Sequence, residues 1–277
     1  MRFASVMHGD TPRAVLIDGE LAYPLRGVDE LGACTPSSLL RDPPVDRSMA
    51  LELGELRLRP VIPRPGKVIC VGLNYLAHVE ETRRDLPEYP VLFTKFASTL
   101  TGPYEPIPRP PESVAIDYEG ELVVVVGARA RRVPEVRAGD AVAGYAVAND
   151  VSMRDYQYKT HQWLQGKAWD RSTPVGPALV TVDEVADVAA LTLRTTVNGE
   201  TVQEASLSLL IFDIPKLVST ISEFATLEPG DLILTGTPGG VGYRREPKLL
   251  LDDGDVVAVE VEAVGRIENV VRAEVRR

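Results

Sequence analysis

The chain has 277 residues, long enough for a full hydrophobic core in one large domain or two smaller ones. Its 44% hydrophobic and 25% charged content is that of an ordinary globular protein and excludes a disordered or fibrous chain. A net charge of −10 argues against nucleic acid or an anionic membrane as a general partner, so an anionic substrate would need a local basic pocket.

Cys34 and Cys70 have neither disulfide-framework nor metal-type spacing, so a reduced, cytoplasmic setting is expected. The N-terminus lacks the apolar core of a signal peptide, and no run approaches the roughly 20 apolar residues of a membrane helix. Residues 1–60 read as short strands and turns. Asp18-Gly19 joins two of them as a hairpin. A short helix is expected over 37–40, ended by Asp42-Pro43-Pro44. Residues 51–58 alternate like a strand. Pro60, Pro63 and Pro65 punctuate the chain, so a small β-rich N-terminal domain is expected over 1–63 and a larger one over 64–277. His8 stands alone and reads as a surface residue.

Residues 67–72 form a short buried strand, and 76–84 a helix with Asn74 as an acceptable N-cap. His78 and Glu81, three apart, share a helix face. A carboxylate beside an imidazole fixes its tautomer and makes it a better base. Residues 90–96 read as a strand with an inward or site-facing Lys95, and 99–111 as a proline-rich loop.

Then comes Asp117-Tyr118-Glu119-Gly120-Glu121-Leu122, running into four valines. The apolar part is β-branched and has strand length. Alternation puts Asp117, Glu119 and Glu121 on one face. Carboxylates entering a buried strand repel unless something positive sits among them. A divalent cation or a cluster of Arg and Lys would relieve this; a solvated strand end is the alternative. Residues 140–148 form another buried strand, ending at Asn149-Asp150-Val151-Ser152-Met153-Arg154. Asp150 is a candidate third ligand, and Arg154 suits a bidentate contact with a substrate carboxylate. Lys167 sits beside Gly166 and Ala168, flanked by tryptophans, in a context that points to a site. His161 has no evident partner. Asn198-Gly199 marks a type I′ hairpin. Residues 214–224 form an amphipathic helix with Pro215 near its start. Residues 231–235 form a strand feeding Gly236-Thr237-Pro238-Gly239-Gly240-Val241-Gly242, whose glycines permit close approach to a ligand. Strands over 249–257 and 259–267, with a turn at Asp253-Gly254, close the fold, and the basic C-terminal end is expected to fray. Strands dominate without regular βαβ alternation, so the fold class is mainly β with a few short helices, α+β.

In order, Gly72-Leu73-Asn74-Tyr75-Leu76-Ala77-His78-Val79-Glu80-Glu81, the Tyr118-Glu119-Gly120-Glu121 segment, Asn149 to Gln157, Gly166-Lys167 and Gly236 to Gly242 resemble the fumarylacetoacetate hydrolase family. The resemblance covers 67 to about 265. It implies a catalytic domain built as a mixed β-roll behind a small N-terminal domain, and a homodimer. It also implies Mg²⁺ or Mn²⁺ held by Glu119, Glu121 and Asp150, with Asp117 outside the ligand set. His78 and Glu81 match a water-activating dyad on a mobile lid, and Lys167 the lysine near the metal. Arg154, Gln157 and Thr237 match substrate-contacting positions, and Tyr75 and Gly236 are assigned to substrate with them. Phe96 and Trp169 depart from the family pattern, which commonly has proline and phenylalanine there. The activity expected first is metal-dependent hydrolysis of a C–C bond in a β-diketo acid of the acylpyruvate or fumarylpyruvate type. Decarboxylation or keto–enol isomerisation of a 2-oxo acid comes second, and a non-catalytic metabolite-binding protein third.

Overall fold

A computed structural model describes residues 1–275; the basic end expected to fray falls on Arg276 and Arg277, outside the described residues. The apolar run forms the strand Gly120–Val126, buried along its whole length. Its residues enter two cores in alternation: Leu122, Val124 and Val126 face one, Val123 and Val125 the other. With both faces covered, the run is apolar throughout instead of alternating with polar residues. Each fully buried leucine or valine there is worth about 1.5–3 kcal/mol.

Antiparallel neighbours flank this strand, Val142–Asn149 on one side and Leu232–Leu234 on the other. Leu232–Leu234 pairs in parallel with Val68–Gly72, and Val91–Lys95 closes that edge. In the other direction Val142–Asn149 pairs with Thr173–Thr181, which pairs with Arg2–His8. The N-terminal strands Arg2–His8, Thr11–Asp18 and Leu21–Pro24 thus continue the same 12-stranded sheet, across the boundary placed at 63/64. A five-stranded sheet, ordered Glu200–Ser206, Thr192–Val197, Val256–Val261, Gly265–Ala273 and Ile107–Arg109, lies against it. Leu193, Val259 and Ile267 from this sheet, with Leu217 and Ile221 of the helix Ile214–Phe224, complete the first core. The architecture is the mainly β, α+β class with short helices. Among the described residues no helix is long and apolar enough to cross a membrane.

Several local expectations differ, and the stretch 99–111, expected as a proline-rich loop, contributes two short strands, Leu100–Thr101 and Ile107–Arg109, because each finds a parallel partner strand distant in sequence. Residues 51–58 are two short strands, Leu51–Glu52 and Arg57–Leu58, broken by a 3₁₀ turn through Gly54. Asp253-Gly254 does turn, with Gly254 at φ +93°, but it leads into Val256–Val261 from a loop and not from a strand. The hairpin that follows turns at residues 262–264, where Ala263 takes φ +59°, a turn without the usual glycine or asparagine signal. Asn198-Gly199 closes its hairpin with both residues at positive φ, as a type I′ turn requires.

Candidate active site

The site is built where two strands run out together. Gly120 pairs with Asn149 at the end of the ladder. One residue further, the Asp150 N–H still donates to the Glu119 carbonyl at 2.8 Å, and the Asn149 side chain accepts from the Glu119 N–H at 3.0 Å. Glu119, Glu121 and Asp150 therefore converge: one carboxylate oxygen from each lies within 4.8 Å of the others, and all three side chains are buried.

Asp117 does not share that face in the expected way. It ends a separate two-residue strand, Ile116–Asp117, paired with Ser152–Met153, and the chain bends through Tyr118 and Glu119 before entering the large sheet. Asp117 accepts instead from Arg154 Nε at 2.8 Å and from the N–H groups of Gly242 and Tyr243 at 2.8 and 3.0 Å.

Three buried cations answer the carboxylates. Lys167 Nζ bridges Glu119 at 2.7 Å and Asp150 at 2.8 Å. Lys95 Nζ lies 2.6 Å from Asp150. Arg154 Nη1 lies 2.6 Å from Glu119. Burial alone would raise the Glu119 pKa, but Lys167 and Arg154 hold it down to about 2. Lys167 responds in kind: burial would favour its neutral form, yet Asp150 and Glu119 keep it charged, with a raised pKa. Glu121 has no such partner. Among the described residues its hydrogen bond comes from the Gly236 N–H at 2.7 Å. Burial, then Asp150 and Glu119, push its pKa well above the carboxylate range. A dication shared by the three carboxylates would remove the repulsion that Glu121 meets, and hard oxygen donors suit Mg²⁺ or Mn²⁺. The residues present fit that ion.

The helix Leu76–Thr82 presents His78 and Glu81, with His78 Nδ1 2.7 Å from Glu81 Oε1. Against a carboxylate acceptor this nitrogen carries the hydrogen, which leaves Nε2 as the basic atom. Asn74 is not the helix cap; Tyr75 holds that position without a side-chain cap bond. The buried Asn74 amide is used up elsewhere. It accepts from the Phe212 N–H at 2.8 Å and donates to the Phe212 and Thr235 carbonyls at 3.0 and 2.7 Å, so it roots the helix on two other segments.

His78, Glu119, Arg154, Gln157, Lys167 and Thr237 line one cleft with about 500 Å³ of empty space, part of it open to solvent. Tyr75 and Gly236 are not on its wall. Tyr75 is buried, its hydroxyl lacks a partner among the described residues, and it borders the groove on the other side of the helix with Leu76 and Glu80. Gly236 reaches the site only through its bond to Glu121. Arg154 is also placed differently from expectation. Nε and Nη1 are taken by Asp117, Glu119 and Gln157, and only Nη2, buried and without a partner among the described residues, is left for an incoming group. His161 is exposed and away from the cleft. The outer wall escaped the sequence reading: Phe93 and Trp163 meet edge to face at 5.5 Å, and Arg84 stands 5.7 Å over the Trp163 ring. Trp163 packs directly on Gly72, where a Cβ would come within 2.4 Å of the ring. The aromatic flank of Lys167 signalled Trp163; nothing in the local sequence signalled Arg84.

Residues 67–272 match the family model described as the C-terminal part of fumarylacetoacetate hydrolase. The chain is 44% identical over 232 residues to a protein of Bos taurus named oxaloacetate tautomerase FAHD2A, mitochondrial, an alignment spanning 81% of this chain and 74% of that one. Among solved structures it resembles 5-carboxymethyl-2-hydroxymuconate delta-isomerase from Mycobacterium smegmatis, with TM-score 0.83 and 36% identity over 99% of this chain and 100% of that one. It also resembles fumarylacetoacetate hydrolase from Exiguobacterium antarcticum, with TM-score 0.87 and 35% identity over the same shares.

Proposed function

The chain belongs to the fumarylacetoacetate hydrolase family, and from that premise we propose that it is a metal-dependent keto–enol tautomerase of 2-oxo dicarboxylic acids of the oxaloacetate type. The relative named as an oxaloacetate tautomerase and the neighbour named as an isomerase support this ahead of the hydrolase first expected. The single observation that carries it is the placement of His78: of the chain's three histidines it is the one on the cleft, with Nδ1 tied to Glu81 and Nε2 left basic.

The residues would divide the work as follows. Arg154 Nη2 takes a substrate carboxylate, which supplies the partner that this buried nitrogen lacks. Gln157 and Thr237 border the same space. His78 Nε2 removes the proton from the carbon next to the 2-oxo group and returns it to the enolate oxygen, or the reverse. Lys167 offers its ammonium to the developing oxyanion. A bound Mg²⁺ or Mn²⁺, held by Glu119, Glu121 and Asp150, would supply Lewis-acid polarisation of the 2-oxo group and so acidify that carbon. Both cysteines are free, which fits a reducing compartment such as the cytoplasm. A homodimer is part of the same proposal and rests on the family resemblance.

C–C bond hydrolysis remains the second reading because the 35%-identical neighbour is named a hydrolase and the same imidazole could activate water. The test mixes purified protein and Mg²⁺ with enol-oxaloacetate and follows loss of the enol chromophore and release of pyruvate in parallel. Enol loss above the Mg²⁺ blank, without pyruvate, supports tautomerisation. Stoichiometric pyruvate from oxaloacetate means decarboxylation, and pyruvate from an acylpyruvate means hydrolysis. His78→Ala should slow the tautomerase by about 10²–10⁴-fold, with Mg²⁺ binding retained.

A further inference from the structure

Glu81 has a second contact that the chemistry above does not use. Its Oε2 accepts from the Gly240 N–H at 2.8 Å. The carbonyl of that same glycine takes two donors, the Tyr118 hydroxyl at 3.0 Å and Arg245 Nε at 3.1 Å. Arg245 Nη2 reaches on to the Val202 carbonyl and so fastens the loop to the second sheet. Gly240 stands at φ +102°, and a Cβ there would lie 2.3 Å from the Val202 oxygen, so the position requires glycine.

We infer that the Gly240 peptide is the fixed point that aims the His78–Glu81 pair, and that Arg245 and Tyr118 are the positioning residues that hold it. The inference rests on His78 acting as the base, as proposed above. Tyr118 lies next to Glu119 in the chain, so one peptide ties the imidazole to the segment that carries the carboxylates. Neither Arg245 nor Tyr118 lines the cleft, so neither need touch substrate. Glu81 is held from two sides, by His78 at one oxygen and by Gly240 at the other. A carboxylate released from the second contact can rotate, and the imidazole loses both its tautomer lock and its aim.

The test uses Arg245→Met, Arg245→Lys and Tyr118→Phe in the full-length, Mg²⁺-loaded protein. Positioning predicts that Arg245→Met lowers kcat roughly ten- to a hundredfold, while KM and Mg²⁺ affinity change less than about twofold. Tyr118→Phe, which removes one of the two donors and little volume, should give a smaller loss of the same kind. Arg245→Lys should restore part of the rate. With only three histidines in the chain, the ring ¹⁵N signals of His78 can be assigned by their loss in His78→Ala. They should move away from the pure Nδ1–H pattern in Arg245→Met. Parallel changes in KM, Mg²⁺ affinity and kcat, or unchanged His78 ring signals in both Arg245→Met and Tyr118→Phe, would overturn the inference. The ring signals need no substrate, so they report on the positioning even if His78→Ala proves fully active and the proposed reaction falls.

Discussion

Glu121→Gln should stabilise the metal-free protein while abolishing its affinity for the metal. The carboxylate is buried, its pKa is driven up, and its hydrogen bond comes from a backbone N–H that a glutamine oxygen can equally well accept. Glutamine keeps the shape, so no cavity opens. The gain has a ceiling that does not depend on the folded-state pKa. Taking 4.5 as the ordinary value, holding the group protonated at pH 7 costs at most 2.5 units at about 1.4 kcal/mol each, or about 3.5 kcal/mol. For a chain of this length that corresponds to roughly 7 °C in Tm, at roughly 2 °C per kcal/mol. The sign follows from linkage. An acid whose folded pKa is raised carries no penalty below pH 4.5, and the penalty grows as pH rises toward the folded value. The assay is thermal unfolding of chelator-treated wild type and variant from pH 4.5 to 8, with Mg²⁺ titrations alongside. The difference should be near zero at pH 4.5 and widen upward. A pH-independent difference, a variant less stable than wild type at pH 7, or unchanged Mg²⁺ affinity would refute the reasoning.

Glu119→Gln, two residues away, should act with the opposite sign. It strips a partner from both Lys167 and Arg154 and should cost about 3–5 kcal/mol in the metal-free protein at pH 7, read as a lowered denaturant midpoint. Because the folded pKa of Glu119 is depressed to about 2, its contribution is present above the ordinary value and is lost as pH falls from about 4.5 toward 2, so the gap between wild type and variant should close in acid. Asn74→Ala leaves one buried N–H and two carbonyls of other segments unpaired and should cost about 2–4 kcal/mol in chemical denaturation. Mg²⁺ binding should release up to one proton at neutral pH, since Glu121 must ionise to ligate. Calorimetry in two buffers of different ionisation enthalpy measures that number, and the affinity should rise with pH.

The local signals that the sequence carried well were those with a short period or a fixed turn chemistry: the valine strand, the Asn198-Gly199 hairpin, the helix Ile214–Phe224 and the His78–Glu81 spacing. Alternation misplaced Asp117 because it assumes an unbroken strand, and the break at Tyr118 is set by pairing with Ser152–Met153, 35 residues away in the register Asp117↔Ser152. Asn74 looked like a cap because capping is a local use of a short amide; its actual partners, Phe212 and Thr235, are more than 130 residues distant. The cleft's outer wall was hidden for the same reason. Arg84 matters through its stacking on Trp163, and no pattern within either segment encodes that meeting.

The charge balance of the buried site links metal to substrate. Asp117, Glu119, Glu121 and Asp150 face Lys95, Arg154 and Lys167, so four formal negative charges meet three positive ones. With Glu121 protonated, as its surroundings favour without metal, the set is neutral. With Glu121 ionised and a dication among the ligands it becomes +1. A loaded site would therefore attract an anionic substrate of the class proposed, whereas the neutral set would offer no net field to draw one in. This would reconcile a chain of net charge −10 with an anionic substrate: the attraction would be created locally, by the ion, at the one buried carboxylate that, among the described residues, has no cation of its own.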